Sequence, residues 1–195
     1  MFSFHLFASD SQHIKILADC PLPKGVTIKG RIVESVSWED KEGMHFLVIS
    51  EYKQGAFMEP GWKSEIHAAM YLQSSDTLRR IWKIQDFAKD GEEAKYMRNS
   101  LTVHDVDGDG LAETGFYYGI FRDGLDPDNL KYMLHTKGVK LAVRGLIPKD
   151  EEDFAKYDKA FDPAFNSCSG IFKDFASTEW DQFVRLNFDV FKGTR

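Results

Sequence analysis

The chain has 195 residues, 43% of them apolar and 14% aromatic, with a formal charge of −6. That is enough apolar material for one domain with a sizeable core. The acidic balance, with Lys and Arg scattered, excludes an electrostatic nucleic-acid binder, which needs a basic face to release counterions from phosphates.

The first residues, MFSFHLFASDSQ, carry no Lys or Arg before a short apolar run that Asp10 ends, which makes a poor signal peptide. A cytoplasmic chain is expected, or one of the cell envelope or periplasm if a leader has been removed. No run approaches the roughly 20 apolar residues that cross a bilayer, so no transmembrane segment is expected. Cys20 and Cys168 lie far apart and outside metal-ligand spacing. One disulfide is open to them in an oxidising compartment, and two buried thiols are the favoured reading.

HIKILADCPLPK (13–24) ends in a proline-containing stretch, after which GVTIKGRIVESVSWED and MHFLVISEYK read as two strands from their β-branched content. Residues 54–63, QGAFMEPGWK, form a loop holding Trp62, either a ligand platform or, more simply, an aromatic folded back on the core. Six short runs follow: EIHAAMYLQS, TLRRIWKIQDF, SLTVHDV, ETGFYYGIF, LKYMLHT and VKLAVRG. Turn-rich pieces such as KDGEEAK separate them, and this spacing predicts a largely antiparallel sheet or sandwich. TKG between the last two reads as a tight hairpin.

Past Pro148, Phe154, Tyr157 and Phe161 at i, i+3, i+7 behind acidic residues predict a helix that Pro163 stops. A second helix is expected over STEWDQFVRLNFDVFKG, with Thr178 and Asp181 in a capping-box-like arrangement. Its face of Trp180, Phe183, Val184, Phe188 and Phe191 should pack on the sheet. No internal repeat or low-complexity tract is visible.

The chemistry-bearing stretch is HDVDGDGLAE, residues 104–113. A hard divalent cation needs several oxygens converging from a short chain. Asp105, Asp107 and Asp109 stand at positions 1, 3 and 5 of such a loop, with Gly110 permitting the sharp turn. The Leu111 backbone carbonyl at position 7 and Glu113 at position 9 can add ligands. An EF-hand would need a bidentate Glu at position 12, where this chain has Phe116, and its flanks would be helices. A strand–loop–strand calcium site is therefore expected, in the manner of the D-x-D-G-D-G-x-x-[DE] loops of integrin-like (FG-GAP-type) propeller repeats. The competing reading is a solvated turn in which the Asp side chains bond their own backbone amides. His104 reads as a satisfied surface or core residue.

IWKIQDF, SLTVHDVDGDGLAE, FYYG and LDPDNLKYMLHTKGVKLAVRG together resemble a bacterial family, frequent in Bacteroidota, labelled surface polysaccharide biosynthesis proteins. The likeness spans about 21–190 and is strongest over 81–145. It places Asp105, Asp107, Asp109 and Glu113 on the family's acidic loop, Trp82, Asp86 and Phe87 upstream, and Pro127, Lys131 and Arg144 downstream. The chain lacks the cysteines that members carry after the Asp-Phe step and after the tyrosine. The resemblance implies a part in polysaccharide biosynthesis without specifying a reaction.

Asp86, Asp123, Asp126, Asp128, His135 and Arg144 are the candidates for catalysis, Asp126 with Asp128 offering a glycosidase-type carboxylate pair. Their spacing does not require it, and no G-x-S-x-G, phosphate loop or H-E-x-x-H is present. The sequence therefore predicts one α+β domain over 1–195, a mainly antiparallel sheet or sandwich (25–147) with C-terminal helices (149–193) packed on it. The expected role is non-enzymatic, with a structural calcium ion and a glycan or protein partner; the alternative is a carbohydrate-active hydrolase.

Overall fold

The computed structural model describes residues 14–17, 20–122 and 128–192. Among the described residues about half are strand and under a fifth helix. The first sheet is an antiparallel meander of β1 (Lys15–Leu17), β2 (Arg31–Asp40), β3 (Gly43–Gln54), β4 (Lys63–Ser74) and β5 (Thr77–Phe87), in chain order. The second comprises β6 (Glu92–Tyr96), β7 (Thr102–His104), β8 (Glu113–Arg122), β9 (Asn129–Thr136), β10 (Val139–Leu146) and β11 (Lys159–Phe161). Its order is β11-β10-β9-β8-β6, with β7 also paired to β8. Helix α1 (Glu151–Lys156) precedes β11, and α2 (Gly170–Lys192) closes the fold.

Period-two alternation assigns each strand face to a layer. On β8, Phe116, Tyr118 and Ile120 join Leu47, Ile49, Ile66 and Ala68 of the first sheet in a shared inter-sheet core. Tyr117 points the other way, into a second cluster with Leu130, Tyr132 and Leu134 of β9 and Trp180, Val184 and Phe191 of α2. The expected apolar face of the C-terminal helix thus packs on the sheet. The opposite surface of the first sheet, through Phe46, Val48, Ala69 and Tyr71, is covered by Leu22, Val26 and Ile28. Among the described residues no helix is long and apolar enough to cross a membrane.

Four local expectations are corrected. The helix expected to run to Pro163 ends at Lys156, with Tyr157 already extended at φ −60, ψ 141. Residues 159–161 instead pair with β10, Phe161 opposite Val143, because the open edge of β10 offers backbone groups that need partners. Helix α2 starts at Gly170, so Thr178 is interior to it and its hydroxyl donates to the Asp174 carbonyl at 3.0 Å. KDGEEAK turns at its start, Glu92 N–H donating to the Lys89 carbonyl at 3.0 Å, but then becomes a strand: the Glu92 carboxylate accepts from Arg122 Nε at 2.7 Å and Ala94 N–H donates to Ser64 Oγ at 2.9 Å. Cys20 and Cys168 are free and only half-buried, packed against different layers.

The β9–β10 hairpin does turn at TKG, Lys137 and Gly138 both having positive φ (45° and 79°). That is the twist-compatible two-residue geometry. Trp62 folds back, its indole N–H donating to the Glu92 carbonyl at 2.8 Å and its ring meeting Phe57 edge-on at 5.4 Å.

Candidate metal centre

The acidic loop connects β7 to β8, whose register sets His104 opposite Glu113. Gly108 and Gly110 adopt φ of 74° and 80°, conformations that a side chain resists, and so fold Asp105, Asp107 and Asp109 back toward one another. One carboxylate oxygen from each of the three lies within 4.8 Å of the others. The loop also bonds itself. Asp105 Oδ2 accepts from Gly110 N–H at 3.0 Å, Asp107 Oδ1 from Asp109 N–H at 3.3 Å, and Asp109 Oδ1 from Leu111 N–H at 2.9 Å. Asp105 Oδ1 is buried with no hydrogen-bond partner.

Glu113 stands behind the three, 1% exposed. Its Oε2 accepts from Val106 N–H at 2.8 Å and its Oε1 from the Thr136 hydroxyl at 2.9 Å. Burial pushes its carboxyl up to about 7 against those two bonds, and the charges of Asp107 and Asp109 push the same way. A cation among the aspartates would reverse that last contribution.

Two lysines from other hairpins reach the loop. Lys137, in the β9–β10 turn, holds Asp107 Oδ2 at 3.1 Å and Asp109 Oδ2 at 2.5 Å. The bonds to Asp109 and then Asp107 raise the lysine well above its ordinary range, and the Lys137 bond lowers Asp109. Lys41, in the β2–β3 turn, donates from Nζ to the Asp109 carbonyl, and its backbone N–H to Gly110 O at 3.4 Å.

Asp40, ending β2, completes the attachment. Its carboxylate accepts from His45 Nε2 (2.9 Å), Glu42 N–H (2.9 Å), Trp38 Nε1 (3.2 Å) and Ala112 N–H (3.3 Å). Burial alone would raise Asp40, but the bonds from His45, Glu42 and Ala112 outweigh it and hold the carboxyl below its usual range. His45 stacks on Trp38 at 5.0 Å. Beside this network lies a cleft of about 370 Å³ lined by Asp40, His45, Arg79 and Lys137, among others.

Sequence reasoning missed Asp40, Lys41, His45, Arg79 and Lys137. Each comes from a strand or hairpin remote in sequence from the loop, and only the TKG turn carried a signal that one of them would project. His104 is half-buried against Phe175 (5.5 Å, edge-on), its Nε2 has no partner, and burial lowers its pKa. It is a packed residue, though not a hydrogen-bonded one.

The candidate catalytic groups are not gathered here. Asp86 accepts from the Tyr118 hydroxyl at 2.8 Å and from Lys131 Nζ, at the opposite end of β9 from Thr136, roughly 17 Å away at about 3.3 Å per residue. Asp128 accepts from Arg122 N–H at 2.8 Å and pairs with Lys149 at 3.2 Å. Arg144 faces Asp162 at 3.5 Å, and His135 stacks on Trp82 at 3.8 Å. Asp123, Asp126 and Pro127 lie outside the described residues.

No protein-family model matches the chain, and neither a curated protein nor a solved structure is found to be similar to it.

Proposed function

We propose that this protein is a non-catalytic calcium-binding β-sandwich whose ion braces the acidic loop against the β2–β3 and β9–β10 turns. In this reading the rim around the loop meets a glycan or another protein during surface polysaccharide assembly. The observation that carries it is the convergence of Asp105, Asp107 and Asp109 oxygens within 4.8 Å. Calcium accepts a flexible cage of protein oxygens at about 2.3–2.6 Å, whereas magnesium demands near-octahedral geometry and keeps its waters. Asp105 Oδ1 adds a buried acceptor that has no protein donor. The Lys137 ammonium already lies between Asp107 and Asp109, at 3.1 and 2.5 Å, in the place that the ion would take.

The polysaccharide process rests on the resemblance carried by 81–145. A hydrolase reading has less support, because Asp86 and Asp128 are each already held by a backbone or hydroxyl donor and by a lysine. Thermal unfolding in excess chelator and in millimolar calcium tests the metal reading. The wild type should melt higher in calcium by mass action, and Asp107→Ala and Asp109→Ala should not; equal melting in both media would reduce the loop to a self-bonded turn.

A further inference from the structure

The cleft beside the loop is open to both sheets, and its lining is more specific than a structural brace needs. Met70 and Ile81 supply apolar wall, and Arg79 and Lys137 supply cations from different sheets. His45 is 4% exposed, and its Nδ1 is buried with no hydrogen-bond partner. Because the ionised Asp40 can only accept, the His45 nitrogen against it carries the proton. Asp40 itself is committed to four donors and has no capacity left for a ligand. The volume falls at the small end of the range for ligand sites, about 300–1,000 Å³.

Lys137 belongs to both places. It lines the cleft, and its ammonium is held by Asp107 and Asp109. A divalent ion and that ammonium compete for the same two carboxylates, so binding one releases the other.

We infer that the cleft is a sugar-acid site completed by the ion: a divalent cation displaces Lys137 from Asp107 and Asp109, and the freed ammonium joins Arg79 in holding the ligand's carboxylate. This rests on the metal reading above. The exposed carboxylate of Glu42 in the lining suits ligand hydroxyls and disfavours a bare, multiply charged anion. The two ligands must then be thermodynamically linked, each tightening the other by the same factor.

Calorimetric titration of the full chain decides it, with glucuronate as probe and glucose and inorganic phosphate as comparisons. Glucuronate should bind at least about tenfold more tightly in calcium than in chelator, and more tightly than glucose or phosphate. Arg79→Met should abolish that binding while calcium alone still titrates normally. Asp107→Asn combined with Asp109→Asn frees Lys137 without any ion, so this variant should bind glucuronate in chelator. Calcium binding without a glucuronate response, or an equal response to glucose or phosphate, overturns the cleft and leaves the metal loop standing. Absence of calcium binding overturns the metal reading and the ion dependence. A double variant that still ignores glucuronate then overturns the lysine release as well.

Discussion

Lys137 Nζ stands 2.5 Å from Asp109 Oδ2 and 3.1 Å from Asp107 Oδ2, so the turn of one hairpin supplies the internal counter-ion of a loop in the neighbouring one. An ammonium is a compact point charge that can neutralise two carboxylates but cannot coordinate all three aspartates as a divalent ion does. Lys137→Met should therefore separate the two roles. In chelator the variant should melt below the wild type, because the carboxylates repel one another uncompensated. In calcium the gap should close, and calcium affinity should rise by up to about tenfold for want of a competitor. Melting temperatures in both media and a calcium titration check this; an unchanged chelator melting temperature and an unchanged affinity would mean that Lys137 is only a solvated rim residue.

Asp40 should matter more to the loop than its distance in sequence suggests. It receives the Ala112 N–H at the loop's exit together with the donors of Trp38, His45 and Glu42. Asp40→Asn puts an amide N–H₂ where two of those donors point. Hydrogen bonds to a charged group contribute about 1.5–3 kcal/mol each, so a loss of about 3 kcal/mol in urea unfolding is expected. Calcium affinity should fall in parallel, since the loop loses its anchor on β2. Lost stability with unchanged calcium affinity would separate the network from the metal site.

The sandwich is legible in the sequence because apolar alternation is enforced wherever one strand face is buried. TLRRIWKIQDF becomes β5 over its predicted bounds, and ETGFYYGIF becomes β8, which runs one residue further to Arg122. The TKG turn is legible because its geometry demands residues that tolerate positive φ. What hides is of two kinds. Strands such as Glu92–Tyr96 and Lys159–Phe161 are held mainly by pairing to a neighbour's open edge, so their own patterns are polar or helix-like. The site's cations and Asp40 hide because strand pairing, and no local pattern, brings Lys41 and Lys137 to a loop formed by other residues.

Gly145 is a test of packing without backbone strain. A Cβ there would lie 2.6 Å from the Asp158 carbonyl oxygen and 2.7 Å from the Trp180 ring. Trp180 is fully buried in the helix-side core and the oxygen belongs to the backbone, so neither can yield cheaply. Gly145→Ala should cost about 1–3 kcal/mol, the usual penalty of overpacking, and should loosen α2 first. Hydrogen exchange along α2 and urea unfolding check it; a neutral variant would show that Trp180 has room to move.

His135 should steepen the acid limb of stability. It is buried between the sheets against Trp82 at 3.8 Å, and its Nδ1 has no partner. Burial, with a smaller push from Lys140, lowers its pKa to about 3. In the unfolded chain the imidazole takes up a proton near pH 6.5. Between about 3 and 6.5 the unfolded state therefore binds more protons than the folded one, and stability must rise with pH. The contribution is fully present above pH 6.5 and is lost progressively as pH falls toward 3. At about 1.4 kcal/mol per pH unit, up to about 2.7 kcal/mol should disappear between pH 6.5 and 4.5. His135→Phe keeps a ring against Trp82 and removes the titration. Its urea-unfolding free energy should therefore decline less steeply than the wild type's over that interval, by up to the same amount. Parallel pH profiles for the two proteins would mean that the acid sensitivity belongs to other groups, His67 and His104 first among them, since burial lowers both.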